Sequence, residues 1–348
     1  MSFNTELLKK ICEAPGAPGF ENAIRNLVIE EIKDHVDSYS VDNMGNVIAV
    51  KKGKTDKKVM VAAHMDEIGF IVSHIDDKGF IRFQTLGGFD PKTFTAQRVI
   101  IHGKEDVMGV MSSKPIHIMS PEERNKVAKK EDYFIDLGMS KEDVEKLVSI
   151  GDPITREREL IEMGNCVNCK SIDNRVSVFI LVEALKKIKS PAHDVYAVFS
   201  VQEEVGLRGA EVAAHSINPD FGIALDTTIA YDLPGAQPHE YVTELGKGTA
   251  IKILDAMTIC DQRMVRFLRK TANEAKIPWQ NEILVAGGTD TAGLQRKGKN
   301  GSISGAISIP TRHLHQVIEM ADKDDINGST DLLVAALEKI GEYDWSWK

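Results

Sequence analysis

Several apolar runs in this chain end on an acid or a histidine, and that pattern narrows the possible folds more than any other feature. Val59 to Ala63 runs into His64, Val195 to Ser200 leads to Glu203 and Glu204, and Phe221 to Leu225 leads to Asp226. Each run reads as a short buried strand. Helical stretches alternate with them, at Val176 to Ile188, at 207–216, at Gln262 to Lys276 and at 330–341, with a further strand at Ile303 to Ile309. Such alternation implies a mixed, largely parallel sheet with helices on both faces. In open α/β sheets, sites gather at the carboxyl ends of the strands. His64, Glu203, Glu204 and Asp226 are expected just past those ends.

Residues 5–36 read as helix, with Ile24, Leu27, Val28 and Ile32 on one buried stripe. Asp42 to Asn46 is turn chemistry ahead of a strand at Val47 to Val50. From about residue 70 the alternation stops. Phe70 to Ile75 and Phe80 to Phe83 flank Asp76-Asp77-Lys78-Gly79, a hairpin signature. Short strands follow at Gln97–His102 and Val107–Met111, with helices at 121–130 and 140–148. Ser140 and Asp143 form a helix-capping pair. The expected organisation is a discontinuous catalytic domain, residues 1–69 and 165–348, interrupted by a β-rich domain at 70–164.

Composition excludes some partners. The formal net charge is -9 over 348 residues, which argues against nucleic acid or an anionic membrane as the main partner. No apolar stretch is long enough to span a bilayer. The opening Met1-Ser2-Phe3-Asn4-Thr5-Glu6 lacks a basic segment followed by an apolar one, so no secretory leader is expected. Four cysteines do not make a disulfide scaffold. Cys166 and Cys169 form a lone C-x-x-C, read as two reduced thiols near a turn rather than a zinc knuckle. A reducing cytoplasm fits these features.

The chemistry-bearing residues assemble as a two-metal site. His and carboxylate ligands suit zinc, cobalt or manganese. His64 begins a His-x-Asp, and a ligating imidazole commonly donates its other N–H to a carboxylate, here Asp66. Asp173 is either a helix N-cap or a carboxylate shared by two ions. Glu203 and Glu204 are adjacent, so on a regular strand they would face opposite ways; one can bind metal while the other acts as general base. Asp226 completes the carboxylates, and on spacing alone either His313 or His315 is a further ligand. Arg175 is read as a structural residue paired with a nearby acid. Three carboxylates and one hydroxide offset two divalent cations, the near balance a buried site requires.

These words and their order resemble the glutamyl aminopeptidase family that includes the tetrahedral (TET) aminopeptidases. The motifs are Ala-His-Met-Asp-Glu-Ile-Gly at 63–69, Ile-Asp-Asn-Arg at 172–175, Gln-Glu-Glu-Val-Gly-Leu-Arg-Gly at 202–209, Leu-Asp at 225–226, Gly-Gly-Thr-Asp at 287–290 and Ile-Pro-Thr-Arg at 309–312. The resemblance covers nearly the whole chain. It implies that His64, Asp173 and Asp226 hold one metal, and that Asp173, Glu204 and His315 hold the other. It makes Glu203 the general base for a metal-bridging water, with Asp66 beside it as a catalytic residue. It also implies peptide substrates, two zinc or cobalt ions per subunit, and an inserted domain that serves dimerisation, with dimers building a tetrahedral dodecamer. His313 and Gln316 depart from the family's usual aromatic and Ser residues. A related dimetal deacylase or carboxypeptidase acting on N-acyl amino acids shares the same ligand logic, and a non-catalytic metal-stabilised module is the rival from another class.

Overall fold

The computed structural model describes residues 3–347, so Met1 and Ser2 of the leader reading lie outside the described residues. Helices α1 (Thr5–Glu13) and α2 (Asn22–Ile32) precede β1 (Ser38–Val41), β2 (Val47–Lys51) and β3 (Lys58–His64). The single helix expected over 5–36 is thus two. Pro15, Gly16, Pro18 and Gly19 separate them, because proline lacks the donor a helix interior needs and disfavours helical backbone just before it.

A barrel follows. Strands β4 (Gly69–Ile75), β5 (Ile81–Leu86), β6 (Gln97–His102), β7 (Asp106–Ser112), β8 (Phe134–Asp136) and β9 (Pro153–Arg156) close in the order β4-β5-β8-β7-β6-β9. Asp76 Oδ1 accepts the backbone N–H groups of Lys78 and Phe80 at 2.8 and 2.9 Å, which shapes the β4–β5 turn, and Gly79 takes its φ of +87°. Along β7, exposed and buried residues alternate without exception, with Val107 and Met111 turned inward. Phe70, Phe83 and Phe94 meet inside, with ring centroids 5.0 to 5.7 Å apart. Two helices decorate the barrel, α3 (Pro121–Arg124) and α4 (Lys141–Leu147). Ser140 caps α4 by accepting the Asp143 N–H, as expected. The helix expected over 121–130 shrinks to four residues, since 125–127 are exposed and give it no face to bury.

The α/β pattern then resumes with β10 (Ile161–Met163), β11 (Cys166–Cys169), α5 (Ile172–Lys187), β12 (Asp194–Ser200), α6 (Arg208–Ile217) and β13 (Phe221–Ile229). It continues through β14 (Thr249–Leu254), α7 (Gln262–Ala275), β15 (Trp279–Ile283), α8 (Thr291–Lys297), β16 (Ile303–Arg312), β17 (Glu319–Asp322) and α9 (Lys323–Lys339). Among the described residues these strands, with β1 to β3, form one eleven-stranded sheet ordered β1-β2-β12-β3-β13-β16-β17-β11-β10, with β14 on β16 and β15 beyond it. The central strands β12, β3, β13 and β16 run parallel.

Strand β3 shows why this sheet needs helices on both faces. Val59, Val61 and Ala63 join the core beneath α1, α2, α5, α7 and α9, while Met60 and Ala62 pack with Ala210, Ala214 and Leu294 of α6 and α8. A strand buried on both sides reads as a continuous apolar run, which is how it stood out in the sequence. Strand β13 outlasts its expected end at Leu225. Its pairing with β3 stops at Ala224, yet it continues beside β16 to Ile229, so Asp226 lies within a strand rather than after one. Cys166 and Cys169 likewise lie on a strand, and Cys12, Cys166, Cys169 and Cys260 are all free thiols. Among the described residues, no helix is long and apolar enough to cross a membrane.

Candidate metal centre

The expected site residues converge at the carboxyl edge of the parallel strands. His64 is the last residue of β3 and its side chain is 2% exposed. Its Nε2 lies 3.5 Å from Asp173 Oδ1, 3.7 Å from Asp226 Oδ1 and 3.8 Å from Glu203 Oε2. His315, on the loop after β16, places its Nε2 3.4 Å from Asp173 Oδ2 and 3.6 Å from Glu204 Oε2. Asp173 therefore turns one oxygen toward each imidazole. Among the described residues, two groups have ligand atoms close enough to hold an ion: His64 with Asp173 and Glu204, and His64 with Glu203 and Asp226. Neither His313 nor His315 enters either group.

Local backbone explains each placement. Asp173 is not an N-cap: it and Asn174 have non-helical dihedrals ahead of the regular turns of α5, and the peptide bond between them is cis. Glu203 and Glu204 lie beyond the end of β12, where Gln202 adopts φ +55° and turns the chain. The Asp66 carboxylate anchors that turn, accepting the Glu203 N–H at 3.0 Å and the Glu204 N–H at 3.1 Å. His64 Nδ1 is 3.0 Å from the Asp66 backbone carbonyl and 3.5 Å from its carboxylate. The carbonyl thus orients the ring, and the carboxylate is spent mainly on the two glutamates. His315 Nδ1 is 2.9 Å from the Gly88 carbonyl, so a loop of the inserted barrel sets that ring's orientation.

Electrostatics test whether these residues suit metal ions. Burial pushes the Glu203 carboxyl well above its usual range, with the Asp226 and Glu204 charges adding to it. Burial and the Asp173 charge raise Glu204 to about 8. Burial works against a charged His64, yet Glu203, Asp173, Asp226 and Asp66 outweigh it and hold the imidazole proton well above the ordinary range. Burial likewise opposes the His315 charge, and Asp173 and Glu204 still raise it to about 10. The surrounding carboxylates thus favour positive charge on both imidazoles. Asp173 Oδ1 and Glu204 Oε1 are buried and accept no hydrogen bond, an arrangement that costs energy unless a cation meets them. Two divalent ions would satisfy both orphaned oxygens, so the donor set fits.

Some neighbours escaped the sequence reading. Asp290 sits fully buried behind the cluster, takes a 2.5 Å bond from Ser200 Oγ, and is raised by burial to about 7. Its Gly-Gly-Thr-Asp setting was visible, but no spacing rule assigned it a task. Arg175 meets its expected structural role. Its side chain is fully buried, its Nη1 donates to the Ile11 and Ala14 carbonyls at the end of α1, and its Nη2 lies 3.7 Å from Glu67 Oε1. A cavity of about 670 Å³ opens over the cluster, with Ile229, Met257, Leu284 and Leu314 among its lining residues.

Comparison with known proteins places the chain among aminopeptidases. The family model for M42 glutamyl aminopeptidases matches residues 45–332. A putative aminopeptidase of Acetivibrio thermocellus is 43% identical over 334 residues, covering 95% of this chain and 98% of that one. An aminopeptidase structure from the archaeon Desulfurococcus kamchatkensis superposes with a TM-score of 0.92 at 39% identity, covering 96% and 94% of the two chains. The Pyrococcus horikoshii TET1 peptidase, described as assembling into a tetrahedron or a large octahedral shell, gives a TM-score of 0.87 at 32% identity, covering 96% and 98%. Fold, inserted barrel and sequence thus agree along almost the full length, and the chain belongs to the M42 glutamyl aminopeptidase family of metallopeptidases.

Proposed function

We propose that this chain removes N-terminal residues from peptides, with two divalent ions held by His64, Asp173, Asp226, Glu204 and His315 and with Glu203 as general base. The observation that carries the reading is Asp173, whose two oxygens face two imidazoles 3.5 and 3.4 Å away. Zinc or cobalt, with manganese as the third candidate, would supply Lewis-acid polarisation of the scissile carbonyl and activation of the attacking water. Glu203 takes the proton of that water and delivers it to the leaving nitrogen. Asp66 keeps Glu203 in place through the peptide N–H groups.

The same proposal assigns residues 1–69 and 165–348 to catalysis and residues 70–164 to homodimer assembly. A tetrahedral dodecamer is supported by two solved structures at 32% identity, one described as a dodecamer and one as assembling into a tetrahedron or a large octahedral shell. The free thiols suit a cytoplasmic location. The deciding experiment compares hydrolysis of an aminoacyl p-nitroanilide with that of an N-acetyl amino acid, before and after chelation. Turnover of the anilide alone, lost on chelation and regained with zinc or cobalt, is expected. Turnover of the N-acetyl substrate alone would move the chain to the deacylases.

A further inference from the structure

Glu319 opens β17, opposite Cys169 of β11, and is 1% exposed. A carboxylate buried so deeply must be matched by donors. Its donors come from two distant parts of the chain. Glu319 Oε2 accepts the backbone N–H of Asp173 at 2.9 Å, and Oε1 accepts the backbone N–H of His315 at 2.8 Å. One side chain therefore ties the backbones of the residue facing both imidazoles and of the second imidazole itself. His315 needs such a tie, because its φ is +60°, a left-handed conformation that persists only when the surroundings hold it. Arg156 holds the same residue from its other side, donating from Nη1 to the His315 carbonyl at 3.4 Å.

Resting on the metal-dependent reading above, we propose that Glu319 is a positioning residue: it sets the spacing between Asp173 and His315 and thereby the affinity of the half-site they share with Glu204. The carboxylate is suited to this because both oxygens accept. Glutamine offers one acceptor and turns an NH2 toward the other N–H. Aspartate keeps the charge but is one methylene short of spanning both donors.

The test uses metal-free wild type, Glu319→Gln and Glu319→Asp, titrated with cobalt(II). Bound metal is counted by elemental analysis, coordination is followed by visible absorption, and the thermal midpoint of each metal-free chain is measured beside it. In both variants the ion held with His64 and Asp226, which shares only Asp173 with the disturbed pair, should be the less affected. The other should bind about ten- to a hundred-fold more weakly, with an altered cobalt spectrum. Two ions bound at wild-type affinity would overturn the proposal. So would equal weakening of both ions in step with a lowered metal-free midpoint, because Glu319 would then serve the fold alone. Failure of both variants to fold has the same meaning. A wild-type chain that takes up no cobalt would instead overturn the metal reading itself.

Discussion

The two proposed half-sites are built in different ways. His64 and Asp226 stand on β3 and β13, strands buried in the sheet, and their side chains are 2% and 6% exposed. Glu204 and His315 stand on loops, and the His315 side chain is 41% exposed. The first half-site inherits its geometry from strand register, because His64 pairs with Ser200 of β12 and Asp226 with Ser308 of β16. The second depends on individual hydrogen bonds: Asp66 to the Glu204 N–H, Gly88 to the His315 ring, and Glu319 to the His315 N–H. Sheet register is cooperative and changes only as a whole, whereas a loop held by single bonds loosens one bond at a time. The first half-site should therefore bind its ion more tightly, and the second should be where affinity is tuned.

The largest expected effect comes from removing what both halves share. Exhaustive chelation should abolish peptide hydrolysis, and zinc or cobalt should restore it. Glu203→Gln should lower kcat by about 10²- to 10⁴-fold while two ions stay bound. Here the comparison can break, since Glu203 also lies within reach of His64 and Asp226. An ion lost from Glu203→Gln, counted by elemental analysis, would make it a ligand of the first half-site rather than the base.

Next in size are the imidazoles. His64→Ala should weaken the tighter ion and, through Asp173, disturb the weaker one. His315→Ala should release only one ion at micromolar metal, and His313→Ala should release none. Equal loss from His64→Ala and His315→Ala, measured by chelator competition, would erase the difference between the halves.

The barrel offers a contrast in kind. Phe83 is 4% exposed and packs in the aromatic cluster with Phe70 and Phe94. Phe83→Ala should cost about 3–5 kcal/mol of stability, read by denaturant unfolding, and leave the two-ion stoichiometry unchanged. The smallest effect concerns the loop after β5, by which the barrel reaches the His315 ring. Gly87 has φ +101°, and a Cβ there would fall 2.5 Å from Ile68 Cγ2. Gly87→Ala should displace the neighbouring Gly88 carbonyl and weaken only the ion near His315, by up to about tenfold. An unchanged cobalt titration would mean the Gly88 bond is dispensable.

The sequence was most legible where one local rule governed structure. The parallel strands announced themselves because β3 and β12 are buried on both faces and so read as unbroken apolar runs. The hairpin at Asp76 to Gly79 and the cap at Ser140 followed from turn and cap chemistry. The inserted unit was visible as a change of texture, but its closure into a barrel depends on pairings such as β6 with β9, far apart in sequence. The prolines at 15 and 18 should have stopped the first helix, and the apolar stripe across α2 obscured them. Asp226 looked terminal because the apolar run ends at Leu225, although Thr227, Thr228 and Ile229 are β-branched and carry the strand on. The candidate residues themselves were readable from their order. What was hidden was the hydrogen bonding behind them: the Glu203 and Glu204 N–H groups on Asp66 and the Asp173 N–H on Glu319 join segments more than a hundred residues apart.

Asp173 is the residue on which the two-ion account turns, and counting metal in Asp173→Ala tests it most directly. The chain should be stripped, reloaded with excess zinc or cobalt, freed of unbound metal and analysed beside wild type and His315→Ala. Two ions per chain are expected in wild type, one in His315→Ala and fewer than one in Asp173→Ala, with the metal-free chains melting alike. An Asp173→Ala chain that retains two ions would show that Asp173 does not bridge them, and would contradict the account.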